Sequence, residues 1–286
     1  MQKLEVINNL EYLHISNNSA DAKIMLQGAH IFHFQTKNKK ELLYLSESAI
    51  FKKYTPLRGG IPICWPWFGE HTKNSNLPNH GFARISIWKH IKTIEIDKDT
   101  TEVYLELNSN EITQQLWPYD FKLEYKITIS SNLEVSLTTT NIDTKTFSIT
   151  QALHTYFKVL DISKTHIKGL DKTKYYNKVN NSFNNVQDGN IYFKEEVDRV
   201  YLDVSSELNI EEDSQSIRVK TDGCKCSVVW NPGKKLVDNM KDLHSHKQML
   251  CLESANVLDS AITIKQGDSH TLSVIFLQQD NKQHLS

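Results

Sequence analysis

The chain is expected to be an all-β protein, a single antiparallel sandwich spanning residues 1–286. Three observations predict this: runs in which apolar and polar residues alternate at period two, short polar breaks between them, and no strand–helix–strand alternation. In chain order, alternating or β-branched runs occupy 101–107, 121–129, 133–140, 217–219, 227–230 and 270–277. Each places one set of side chains on a core face and the other set in water. Ser130-Ser131-Asn132 is a break of hairpin length, so the runs on either side of it are expected to pair antiparallel. Asp222-Gly223 offers a second tight turn. One short helix fits Glu111 to Trp117, capped by Asn110 and stopped by Pro118. The asparagine-dense stretch 175–189 reads as a long surface excursion, and no stretch has the composition of an interdomain linker.

A formal net charge of -1 gives no global basic field, so neither nucleic acid nor an anionic membrane is an expected partner. The first residues, Met1-Gln2-Lys3-Leu4-Glu5-Val6, lack the basic start and apolar centre of a signal peptide, and no window is apolar for long enough to span a bilayer. A soluble cytoplasmic monomer is the expectation. Cys64, Cys224, Cys226 and Cys251 show neither a CxxC pair nor zinc-ribbon spacing, and they read as reduced buried thiols. Cys224 and Cys226 would share one face of a strand, while His244 and His246 lie in a polar loop context, so no metal site is assigned.

The densest chemistry lies in Arg58-Gly59-Gly60-Ile61-Pro62-Ile63-Cys64-Trp65-Pro66-Trp67-Phe68-Gly69 and in Asn79-His80-Gly81-Phe82-Ala83-Arg84. Glycines let backbone approach a ligand, aromatic faces suit a sugar ring, and two guanidiniums suit an anion, which together fit a phosphorylated sugar. A lone Arg-Gly-Gly would read as a structural turn; two such segments together favour a site. Three further places carry candidates. In Gln151-Ala152-Leu153-His154-Thr155-Tyr156-Phe157, alternation puts His154 opposite Leu153 and alongside Tyr156, where it is either a structural histidine or a proton carrier. Glu253 is a carboxylate inside the apolar run Leu250-Cys251-Leu252-Glu253-Ser254-Ala255, costly to bury unless it is paired or used. Asp198 stands among the acids of Glu195-Glu196-Val197-Asp198-Arg199, which otherwise read as a solvated surface.

These segments, with Trp230-Asn231-Pro232 and the late Glu253, occur in the order seen in hexose-6-phosphate mutarotases, which the chain resembles from about Arg58 to Glu253. Those enzymes belong to the wider aldose 1-epimerase group, and the resemblance implies a β-sandwich of the galactose mutarotase type. It further implies that His154 and Glu253 are the catalytic pair, that Arg58 and Arg84 contact a phosphate, that Asp198 holds sugar hydroxyls, and that Asn79 and His80 line the same pocket. Relatives often carry glutamine where Asn79 stands, so a contact made by the longer side chain is lost here or reached through water.

The implied reaction is interconversion of the α and β anomers of a hexose 6-phosphate, with a base at O1, an acid at O5 and no cofactor. On this reading Glu253 is an ionised base and His154 an imidazolium, each stabilising the other. Two other readings stand beside it: a non-catalytic carbohydrate-binding protein, which would need no acid–base pair, and an aldose 1-epimerase for unphosphorylated sugars, which would need no arginines. The segment 233–240, after Trp230-Asn231-Pro232, is left without a role.

Overall fold

The computed structural model describes residues 1–281. Two large antiparallel sheets face each other across the core. In one, nine strands run in the order Ile191–Tyr192, His166–Lys168, Glu207–Glu211, Gln215–Asp222, Ser269–Asp280, Leu133–Asn141, Phe121–Ile129, Thr101–Asn108 and Lys89–Glu95. The other runs Ser182–Val186, Lys174–Asn177, Val197–Leu202, Cys226–Asn231, Met249–Asn256, Gln151–Leu153 and Ile63–Cys64, with Tyr156–Lys158 also pairing onto Met249–Asn256. A four-stranded antiparallel meander, Gln2–Ile7, Leu10–Ser16, Ala20–Met25 and His30–Thr36, precedes them.

The expected pattern holds where alternation is strongest. Phe121, Leu123, Tyr125, Ile127 and Ile129 are buried, while Lys122, Glu124, Lys126 and Thr128 between them are not. Phe121–Ile129 pairs antiparallel with Leu133–Asn141 across the Ser130-Ser131-Asn132 break. The helix is Glu111–Leu116, and the Asn110 side chain accepts from the N–H groups of Ile112 and Thr113. Asp222-Gly223 does not close a hairpin. Gln215–Asp222 and Cys226–Asn231 belong to different sheets, so the turn carries the chain across the sandwich. Cys224 precedes that second strand, and only Cys226 lies within it.

In the second sheet the reverse face matters as much as the core face. All eight residues of Met249–Asn256 are buried. Leu250 and Leu252 join the main core, so Cys251, Glu253 and Ala255 project to the opposite side. The neighbouring strands share this register: Val197, Tyr201 and Val229 face the core, and Asp198, Val200, Val228 and Trp230 face the other way. A period-two sequence thus builds a half-apolar floor with Asp198, Trp230 and Glu253 set into it.

Candidate active site

Glu253 lies beside Val228 in the antiparallel register. His154 reaches it from a break in a strand: the ladder stops after Leu153 and resumes at Tyr156, and the His154 N–H donates to Pro62 O at 3.0 Å. The Tyr156 N–H donates to Gly60 O at 2.9 Å, so the Arg58-to-Pro62 loop is laced directly to the histidine segment. Gly60 is required there, since it takes φ of 64° and a Cβ would overlap the Ile31 carbonyl and lie 2.6 Å from His30 Nε2. His30 Nε2 in turn donates to Gly59 O at 2.8 Å.

His154 Nε2 is 3.3 Å from Glu253 Oε1, with side-chain exposures of 11% and 1%. The imidazole stacks on Tyr156, 4.9 Å between centroids and 8° between planes. Burial drives the carboxyl well above its ordinary pKa, assisted by the charge of Asp198. Burial drives the imidazole well below its own, helped by His80 and by the cations Arg84 and Arg58. Burial thus works against the charged form of each partner, whereas the sequence reading had the two charges stabilise one another.

These groups open into a cavity of about 180 Å³ lined by Arg58, Phe68, His80, His154, Lys178, Asp198, Val228, Trp230 and Glu253. Of the seven residues expected at the site, five line it. Asn79 and Arg84 do not; the Arg84 guanidinium donates to Asn79 O at 2.6 Å. Arg84 nonetheless stands near enough to depress the pKa of both His80 and His154. His80 is held neutral, its pKa pushed down to about 3 by burial and then by Arg84 and Lys178. Its Nδ1 accepts the Gly69 N–H at 3.2 Å, which leaves the ring proton on Nε2 as a donor.

Arg58 is already engaged. Its Nε and Nη2 each lie 3.1 Å from Asp242 Oδ2, and Nη1 donates to the Tyr156 hydroxyl at 3.0 Å. Asp242, which follows the short helix Gly233–Val237 and lies just beyond the segment 233–240, supplies the counter-charge of Arg58. Asp198 Oδ2 is 3.0 Å from Lys178 Nζ. Lys178 and Asp242 were not legible as site residues: Lys178 follows the strand Lys174–Asn177, next to the edge strand Ser182–Val186, and its N–H donates to Asp198 O at 2.8 Å. The supposed excursion 175–189 is a β-hairpin of Lys174–Asn177 and Ser182–Val186 at the edge of the site sheet.

Buried polar atoms are almost always hydrogen-bonded. Glu253 Oε2, His154 Nδ1 and Asp198 Oδ1 are buried without a hydrogen-bond partner among the described residues, and all three belong to residues of this one cavity. A polar ligand would satisfy them. A larger depression of about 520 Å³, over Ile91, Tyr104, Lys122 and Lys126, carries the ion pair Lys122–Glu124.

Comparison with known proteins agrees with this geometry. The chain is 34% identical over 269 residues to a protein of Escherichia coli strain K12 named "Putative glucose-6-phosphate 1-epimerase", covering 92% of this chain and 89% of that one. It is 36% identical over 266 residues to a protein of the same name from Cenchrus ciliaris, covering 86% and 78%. The solved structure of "a putative mutarotase (YeaD)" from Salmonella typhimurium superposes with a TM-score of 0.92 at 29% identity, covering 98% of this chain and 94% of that one. Residues 11–277 match the family described as aldose 1-epimerase, and with fold, site and relatives in agreement, the chain belongs to that family.

Proposed function

We propose that the protein interconverts the anomers of a hexose 6-phosphate, glucose 6-phosphate first among them, without a cofactor. The observation that carries this reading is the buried pair of His154 and Glu253, 3.3 Å apart in a polar cavity with Arg58 on its wall. Ring opening needs one proton removed from O1 and one delivered to O5. In the reactive tautomer the shared proton sits on His154. Glu253 takes the O1 proton, the freed O–H electrons form the C1 carbonyl, the C1–O5 bond breaks, and its electron pair takes the proton of His154. After rotation about C1–C2, neutral His154 removes the O5 proton, O5 attacks the other face of C1, and Glu253 returns its proton to O1. The pair ends as it began, so one shared proton is sufficient and both charged forms are transient. His80 Nε2 and Asp198 Oδ1 supply a donor and an acceptor for ring hydroxyls, and Arg58 and Arg84 supply the positive charge for the phosphate. Asn79 supports Arg84 through its carbonyl.

A second reading, exchange on unphosphorylated aldoses, is favoured by one observation: Arg58 already pairs with Asp242 and Arg84 lies off the cavity wall. Anomer exchange followed by NMR on glucose 6-phosphate, mannose 6-phosphate, galactose 6-phosphate and free glucose separates the two. Catalysis of the esters well above that of glucose is expected, and equal rates would favour the second reading.

A further inference from the structure

Asp198 is anchored twice by one residue. The Lys178 N–H donates to Asp198 O at 2.8 Å, and its ammonium stands 3.0 Å from Asp198 Oδ2. Lys178 is 35% exposed and Asp198 19%, so the ion pair is drier than a surface pair and better placed to hold one geometry. The ammonium also lies 5.7 Å from the centre of the Phe68 ring, a third constraint on its position. The other carboxylate oxygen, Oδ1, is buried and has no protein partner. Two further acids feel this carboxylate, Glu253 across the floor and Glu196 on the same chain segment, and both are raised by it. Among the described residues Lys178 is the one cation in contact with Asp198, and it opposes the burial that raises the carboxyl pKa.

We propose that Lys178 is a positioning residue for sugar recognition: it clamps Oδ2 of Asp198 and so presents an ionised Oδ1 to a ring hydroxyl of the substrate. This rests on the anomerase reading of the cavity. A carboxylate loses its selectivity for a hydroxyl donor if it rotates freely or takes up a proton, and the edge hairpin prevents both by bringing Lys178 onto it. Because ring hydroxyls away from C1 are held alike before and during ring opening, the effect belongs to binding and not to the chemical step. It is also independent of the phosphate, since the ammonium is spent on Asp198.

The test compares wild type, Lys178→Met, Lys178→Arg, Asp198→Asn and the Lys178→Met/Asp198→Asn double variant by NMR anomer exchange on glucose 6-phosphate and on glucose. In parallel, the Asp198 carboxyl is titrated by ¹³C NMR in sugar-free wild type and Lys178→Met. Lys178→Met is expected to raise KM about tenfold on both sugars, the size of one misplaced charge-assisted hydrogen bond, with kcat little changed. Lys178→Arg should recover most of that loss, and Lys178→Met should add nothing once Asp198 is Asn. The Asp198 midpoint should move up in Lys178→Met. A loss confined to the phosphate ester, or additive losses in the double variant, would overturn the proposal and make Lys178 a direct phosphate contact. If wild type exchanged no sugar, the anomerase reading would fail by itself; the carboxyl titration would then decide, a raised midpoint supporting the clamp and an unmoved one ending it.

Discussion

At the scale of single residues, the two groups proposed as proton carriers could be picked out in the sequence, and the structure brings them within 3.3 Å of each other. Glu253 announces itself in sequence as the one acid within Leu250-Cys251-Leu252-Glu253-Ser254-Ala255, because an apolar strand tolerates a carboxyl only where it is used or paired. What sequence cannot supply is depth of burial, and desolvation works against the charged form of both partners. The pH dependence follows. The active species has one proton on the pair, so kcat/KM should be bell-shaped. Protonation of neutral His154 falls on the acid side, below the ordinary histidine value near 6.5, and loss of the last proton falls above the ordinary carboxylate range. His154→Asn and Glu253→Gln should each lower exchange by about 10²–10⁴ while leaving the fold and sugar-phosphate binding intact. Measured profiles of kcat/KM from pH 4 to 10 check this, and an acid limb centred at 6.5 or above would show that the imidazole is not buried as described.

At the scale of elements, legibility followed the strength of alternation. Phe121–Ile129, its hairpin partner and the Asn110-capped helix were readable because local pattern and tertiary burial agree there. The first strand of the N-terminal meander was not, because Leu4 and Val6 are exposed and its apolar residues mark no core face. The hairpin carrying Lys178 was hidden by asparagines that read as loop; Asn181 and Asn184 in fact sit at positive φ within its turn and bulged strand. The meander's part in the site also escaped sequence: His30 at its last strand pins the Gly59 carbonyl, and with it the Arg58 loop. His30 is fully buried with its pKa pushed down to about 4, chiefly by desolvation. In the unfolded chain it titrates near 6.5, so between about pH 6.5 and 4 the unfolded state binds more protons and stability falls as pH falls. The loss from this residue is about 3 kcal/mol, fully absent above pH 6.5. Urea unfolding at pH 7 and pH 4 should show wild type losing about that much more than His30→Gln, which keeps a donor for Gly59 O without a titratable ring. Parallel losses in the two proteins would contradict the buried neutral assignment.

At the scale of the whole molecule, a sandwich sheet whose central strand Met249–Asn256 is buried on both faces creates a floor into which a few polar residues are set. The resemblance read from ordered motifs named five of the nine cavity-lining residues, and Phe68 and Trp230 lie inside the same motifs; Lys178 came from packing of a distant segment, which no local pattern encodes. Charge behaves the same way. The molecule carries a net charge of -1, so it offers a phosphorylated sugar no long-range attraction, and any preference for the ester must arise within the cavity at Arg58 and its neighbours. Diffuse screening by salt should therefore matter less than direct competition by an anion that fits the arginine site. Sodium sulfate is expected to raise KM for glucose 6-phosphate competitively, sodium chloride of equal ionic strength to have much less effect, and exchange on free glucose to respond to neither. Arg58→Ala should lower kcat/KM on the ester by about one to two powers of ten, from loss of charge-assisted hydrogen bonds of roughly 1.5–3 kcal/mol each, and should abolish the difference between the two salts. Equal inhibition by both salts, or equal losses of Arg58→Ala on ester and free sugar, would place the role of Arg58 in holding its loop against Tyr156 and Asp242, and the enzyme would then act on aldoses irrespective of phosphate.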